Sequence, residues 1–315
     1  MSDLSLGGFA LLVCVYIFTV ACTAILGLRF LAARLTRRRF YLDDGFVGLA
    51  YINTVVLGGC VIWAIYNGLG RHIIELNPQE IGVQFKLVVA SGVTWLLGTV
   101  TIKMSMLCLY NRLFSSSTNT RRWASVLMVL VSCYGIAFIT VFLTNCQPID
   151  QMWNPVPDGW CRDLSIDEFV SVSINLVLDL SIVLLPMPVL WRMQMTTRKK
   201  VFISIMFGLG LVTIGIMCWR LEATVQSSKN PDFTFTLANI GLISMLELWL
   251  GIICACIPTL TPLLKTYVNP ALKKIVSIGS SATRSFRGPE RLKSVSRSRF
   301  RAWFTQTERT RQSRL

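Results

Sequence analysis

Charge is what this chain has least of: Asp, Glu, Lys and Arg make up only 15% of its 315 residues, against about a quarter in soluble globular domains. Hydrophobic residues reach 53% and the mean hydropathy is +0.57, a composition that points to a membrane protein. Acid is scarcer than base, with 16 Asp+Glu against 31 Lys+Arg and a net charge of +15. A nucleic-acid-binding domain does not combine such a base excess with this hydropathy, so no nucleic-acid partner is expected and the bases call for a topological reason. Histidine occurs once, at His72, which excludes a histidine-built metal site; a solvated loop position is expected for it. Ten cysteines are too few for a small disulfide scaffold, and no Asn-x-Ser/Thr acceptor for an N-glycan is present. There is no phosphate-cradling glycine loop, because Gly68 and Gly70 follow no strand and read as a turn. With no nucleophile placed beside a base, neither an enzyme nor a cofactor is expected.

What is present is a series of apolar runs of about 20 residues, the length that crosses ~30 Å of hydrocarbon. They lie near 6–28, 45–66, 87–110, 123–144, 167–190, 202–222 and 237–264. The expected fold is therefore all-α, a seven-transmembrane-helix bundle, with residues 1–28 holding the first helix and 29–264 the other six. Bases are retained on the cytoplasmic side of a membrane. Segments 29–44, 111–122, 191–200 and 265–315 hold 5, 3, 4 and 13 of them, whereas the alternate segments hold Arg71, Lys86, Arg162, Arg220 and Lys229. This asymmetry predicts an N-terminus outside and a cytoplasmic C-terminus. Residues 265–315 are rich in Ser, Arg and Lys with no sustained apolar stripe, the mark of a basic, largely disordered tail. Its bases would either hold it to anionic inner-leaflet lipids, at about 1 kcal/mol each, or merely enforce topology.

Several strings, by their order and spacing together, resemble the fungal rhodopsin-domain family of seven-helix membrane proteins. They are Asp43-Asp44, Gly68-Leu-Gly-Arg-His72, Thr101-Ile-Lys-Met-Ser105, the Cys146 and Cys161 loop, Asn175-x-x-x-Asp179 and Leu184-Leu-Pro-Met-Pro-Val-Leu-Trp191. Glu247 and Gly251-Ile-Ile-Cys-Ala-Cys-Ile-Pro-Thr-Leu-Thr-Pro-Leu263 complete the series. The resemblance implies a receptor-like protein of filamentous ascomycetes, of the kind also found in secondary-metabolite gene clusters. It does not imply retinal, because span 237–264 has no lysine to form a Schiff base.

Ionisable groups within a span cost several kcal/mol and mark candidate functional sites. Lys103, Asp179 and Glu247 are of this kind. Ser91, Trp95, Thr99 and Lys103 step by four residues, as do Ser171, Asn175 and Asp179, so two helices should turn polar stripes toward the bundle interior. Lys103 is expected to pair with Asp179, while Glu247, with no partner to assign, is expected to hold a proton. Such a network is either a two-state ionic latch or proton-sensitive element, or a static set of contacts that fixes helix packing. Cys146 and Cys161 flank an outer loop in an oxidising compartment and are expected to form a disulfide. Pro186, Pro188, Pro258 and Pro262 should bend the fifth and seventh helices, as hinges or as fixed kinks.

These readings lead to a plasma-membrane receptor for an extracellular ligand or surface cue, with a cytoplasmic signalling partner. A transporter or proton-coupled carrier using Lys103, Asp179 and Glu247 is the alternative, and an accessory protein of a biosynthetic pathway is a third.

Overall fold

The computed structural model describes residues 6–70, 77–114, 117–153, 157–188, 197–227 and 233–263. His72, Trp191 and the basic tail lie outside them. Seven long helices follow one another: α1 (Leu6–Leu35), α2 (Leu42–Tyr66), α3 (Pro78–Leu113), α4 (Thr118–Leu143), α5 (Leu164–Leu184), α6 (Thr197–Ser227) and α7 (Phe233–Leu263). Six of them are long and apolar enough to cross a membrane. The exception, α5, is 21 residues long and carries Asp167, Glu168 and Asp179. Residues Met1–Leu260 form one compact unit.

Several boundaries fall away from the apolar runs because polar groups, not hydropathy, start and stop the helices. Helix α3 begins well before the apolar run near 87: Pro78 occupies its first turn, and the Glu80 carboxylate accepts the Asn77 backbone N–H at 2.9 Å, both N-terminal signals. Helix α2 ends in a turn where Gly68 and Gly70 adopt φ of 93° and 89°, conformations that a side chain resists. Helix α5 stops at Leu184, short of the expected 190. Pro186 follows that end, where its missing N–H and the restriction on the residue before it oppose continuation. Pro186 and Pro188 thus lie beyond α5 and do not bend it from within, whereas Pro258 lies inside α7. Pro262 is also within α7, its side chain outside the described residues.

Helix α7 is the innermost element. Two thirds (67%) of its apolar stretch is buried, against a third or less in the other five spans. Its Leu248, Trp249 and Ile252 sit in the core with Leu11 and Val15 of α1, Leu57 of α2 and Leu96 of α3. Glycines on α3 and α7 make room for side chains of the facing helix. A Cβ added at Gly98 would meet Leu248 at 3.0 Å, and one at Gly251 would meet Ile102 at 3.0 Å. On the outside Tyr16, Ile17, Val20, Ile52, Trp63 and Ile136 are all more than half exposed, an apolar surface suited to lipid.

Between α4 and α5 the chain makes a small folded loop. Strands β1 (Cys146–Gln147) and β2 (Trp160–Cys161) pair antiparallel with Cys146 opposite Cys161, and a disulfide joins those two residues. A short 3-10 helix (Ile149–Met152) leads to Trp153, whose ring lies 5.2 Å from the Lys86 ammonium of α3. The bridge closes a loop with a sequence separation of 15, which constrains the unfolded chain by about 3 kcal/mol. Replacing both cysteines by serine is expected to lower thermal stability in detergent by about that amount, with a reductant giving the same shift in wild type. Unchanged melting would show that the strand pair and Trp153 hold the loop without the disulfide.

Candidate functional site

The disulfide loop lies at the end of the bundle where α3, α5 and α7 begin. Beneath it is a pocket of about 250 Å³ lined by Val88, Cys146, Cys161, Leu164, Glu168 and Leu237, among others. A second cavity, about 90 Å³, shares Val88, Leu164, Glu168 and Leu237 with it and reaches Gln84, Trp95 and Arg220. The two form one depression running from the loop toward the bundle centre.

At the bottom stands a polar cluster drawn from four helices. The Glu247 carboxylate of α7 accepts hydrogen bonds from Trp95 Nε1 of α3 at 2.8 Å, Asn175 Nδ2 of α5 at 2.9 Å and Arg220 Nη1 of α6 at 3.2 Å. Arg220 also donates through Nη2 to Glu168 of α5 at 3.2 Å, and its guanidinium lies 3.7 Å from the centre of the Trp95 ring, a cation–π contact strengthened by burial. Tyr134 of α4 meets Ser171 Oγ at 3.0 Å beside this cluster. Helical period explains the convergence: Glu168, Ser171, Asn175 and Asp179 share one face of α5, and Thr213, Met217, Arg220 and Thr224 one face of α6. The Trp95 indole of α3 reaches Glu247 of α7 directly.

Glu247 is therefore not the unpartnered carboxyl that its isolated position in the sequence suggests. Arg220, placed by charge distribution among the outer loop bases, is only 4% exposed and sits inside the bundle. A charged residue near the end of an apolar run looks like a loop residue until its counter-charge is known. Here Glu247 lies 27 residues away on the next helix.

About two turns further along α3 from Trp95, Lys103 Nζ contacts Asp179 Oδ1 of α5. Lys103 is 3% exposed and Asp179 20%. Both line a small cavity with Thr99, Thr213 and Glu247, so this pair and the Glu247 carboxylate face a common space.

A third cluster, at the opposite end of the bundle, was invisible to hydropathy. Arg29 of α1, counted with the loop 29–44 by its position, is 1% exposed. It donates through Nε to Asp44 at 3.0 Å, through Nη2 to Asp43 at 2.9 Å and through Nη1 to the Ala255 carbonyl of α7 at 2.6 Å. Arg38 contacts Asp44 at 2.7 Å and Arg112 of α3 contacts Asp43 at 3.2 Å, while Ser105 Oγ donates to the Asp43 carbonyl at 2.9 Å. Asp44 also accepts the Tyr41 N–H at 3.2 Å, so the two carboxylates occupy the favourable N-terminal end of α2. Four elements, α1, α2, α3 and α7, are tied at this point. The signal available in the sequence was the adjacent pair Asp43-Asp44 at the head of an apolar run, which needs nearby cations to be buried.

Residues 28–266 match the model of the fungal rhodopsin domain. The chain belongs to that family. It is 27% identical over 207 residues to a SAT4 family membrane protein of Emericella nidulans, covering 65% of this chain and 52% of that one. It is 29% identical over 189 residues to fugralins biosynthesis cluster protein 2 of Gibberella zeae, covering 58% and 47%. Receptor GIN3 of Arthrobotrys oligospora is 24% identical over 276 residues, covering 84% of this chain and 65% of the receptor. The chain thus spans about half the length of the first two relatives. As a fungal rhodopsin-domain protein it is a multi-pass membrane protein with a seven-helix fold, in contact with the lipid bilayer.

Removing one partner of a buried ion pair costs about 3–5 kcal/mol. Lys103→Asp and Asp179→Lys are each expected to lose that much stability, and the double exchange to recover most of it, measured by melting in detergent. Failure of the exchange to recover would show that the two side chains act through other neighbours. Arg29→Ala, which leaves Asp43 and Asp44 without their common buried cation, is expected to cost at least as much as either single exchange.

Proposed function

We propose that the chain is a receptor-like protein of the plasma membrane, with its N-terminus outside and its C-terminus in the cytoplasm. It senses an extracellular small molecule or surface cue and signals inward, without retinal and without catalysing a reaction. The observation that carries this reading is the pocket beneath the disulfide loop together with the adjoining inner cavity, which Arg220 lines. Arg220 holds carboxylates on α5 and α7, so an occupant pressing on it biases three helices at once. Lys103–Asp179 lies next along the same interior, and the cluster around Arg29 ties α7 at the far end. The chain of pairs gives a path by which a change at the loop end reaches the other face. The absence of lysine from α7 supports a retinal-independent mode, and the likeness to a protein named a receptor supports signalling. In this reading the 13 bases of residues 265–315 meet anionic inner-leaflet lipids and a cytoplasmic partner.

Cytosolic cAMP and Ca²⁺, followed in cells with and without the gene while they meet hydrophobic surfaces or secreted metabolites, test the proposal. A gene-dependent response is expected, and Asp179→Asn at normal surface expression is expected to abolish most of it. Unchanged signalling together with altered metabolite export would replace the receptor with a carrier that uses the same polar groups.

A further inference from the structure

The cavity at the centre of the site carries two buried polar atoms with no partner, and they differ in kind. Gln84, 2% exposed, donates through Nε2 to the Ala64 carbonyl at 3.0 Å and the Asn67 carbonyl at 2.9 Å, closing the C-terminal end of α2. Both partners only accept, so the amide nitrogen must face them and the oxygen must face the other way. That oxygen, Gln84 Oε1, is buried without a partner. Arg220 spends Nη1 on Glu247 and Nη2 on Glu168, leaving its Nε–H likewise buried and unpartnered. Both residues line the same cavity. Unmade hydrogen bonds at buried atoms cost about 1–3 kcal/mol each, a cost that an occupant supplying one acceptor and one donor would remove.

The surroundings narrow the chemistry. Arg220 is already matched by two carboxylates, so an anion would add a third negative group to one cation. The walls near these two atoms are hydrocarbon, including Leu57, Val61, Leu87, Phe142 and Ile240. We infer that this cavity, together with the adjoining pocket of about 250 Å³, binds a small, uncharged, largely apolar molecule that presents a carbonyl to Arg220 Nε and a hydroxyl to Gln84 Oε1. The inference rests on the receptor reading for its biological meaning but not for the binding itself.

Binding of hydroxydecanone, decanone and decanoate to the full chain in nanodiscs tests it, each carried as a photoreactive diazirine analogue and mapped by mass spectrometry. The hydroxyketone is expected to bind about three- to tenfold more tightly than the plain ketone, the value of one hydrogen bond, and more tightly than the carboxylate, with labels on cavity residues. Gln84→Met is expected to erase the preference for the hydroxyketone. Because that change also removes a donor from the Ala64 and Asn67 carbonyls at the end of α2, Gly92→Leu serves as a second variant. Gly92 lines the cavity and a Cβ there meets nothing within 4 Å, so the added side chain fills the space without a backbone clash and should abolish labelling in a folded protein. Equal binding of the three compounds, stronger binding of decanoate, or unaltered labelling in Gly92→Leu would each overturn the inference. Signalling separates the two readings. A response in cells that Gly92→Leu removes, without the hydroxyketone preference, would leave the receptor standing and refute this ligand class. The preference without any gene-dependent response would do the reverse.

Discussion

A charge carried into an apolar bundle must find its opposite inside that bundle, and most of what is distinctive here follows from this constraint. Born costs of many kcal/mol per ion are not recovered by hydrophobic packing, since lipid is as apolar as leucine. Glu247 meets the constraint with a guanidinium, an indole N–H and a carboxamide from three other helices. Asp43 and Asp44 meet it with Arg29, Arg38 and Arg112, and Lys103 with Asp179. Each of these pairs crosses from one helix or its flank to another. Packing specificity, to which glycines such as Gly98 and Gly251 contribute by making room for Leu248 and Ile102, is then enforced by charge.

Helix α7 is where these demands meet. It is the most buried of the six apolar spans, it presents Glu247 to Arg220 near its middle, and it offers the Ala255 carbonyl to Arg29 near its other end. Pro258, three residues on, withdraws a backbone donor from the turn that precedes it. In the proposed receptor, α7 would be the conduit between the disulfide end and the Asp43–Asp44 end. Held by an ion pair at Glu247 and by a hydrogen bond to the Ala255 carbonyl, the helix can shift only by exchanging partners, the kind of discrete alternative that the proposed receptor would need.

The cavity beneath the disulfide loop shows how stability and recognition share residues. Gln84 closes the end of α2 with its amide nitrogen and leaves its oxygen over. Arg220 neutralises two carboxylates with its terminal nitrogens and leaves Nε over. Structural duty thus fixes the direction of the remaining polar atoms, which is the preorganisation that a binding site requires. The walls around them are mostly hydrocarbon, so the polar demand is small and specific.

Periodicity and hydropathy carried the reading a long way, because both are local. Seven helices were legible from runs of apolar residues, the Cys146–Cys161 bridge from its loop, and the inward polar faces of α3 and α5 from a spacing of four. Boundaries were legible less well, since Pro78, Glu80 and Pro186 act through backbone hydrogen bonds that hydropathy does not register. The sequence by itself determined which residues are too polar for lipid and which helical face each must occupy. What only the tertiary structure decided is which charge answers which. Arg220 of α6 is joined to Glu247 of α7, Arg29 of α1 reaches Asp43 and Asp44 of α2, and Trp95 meets Glu247 across 152 positions. Such pairings depend on how helices rotate and cross, a property of the packed bundle and of no single segment.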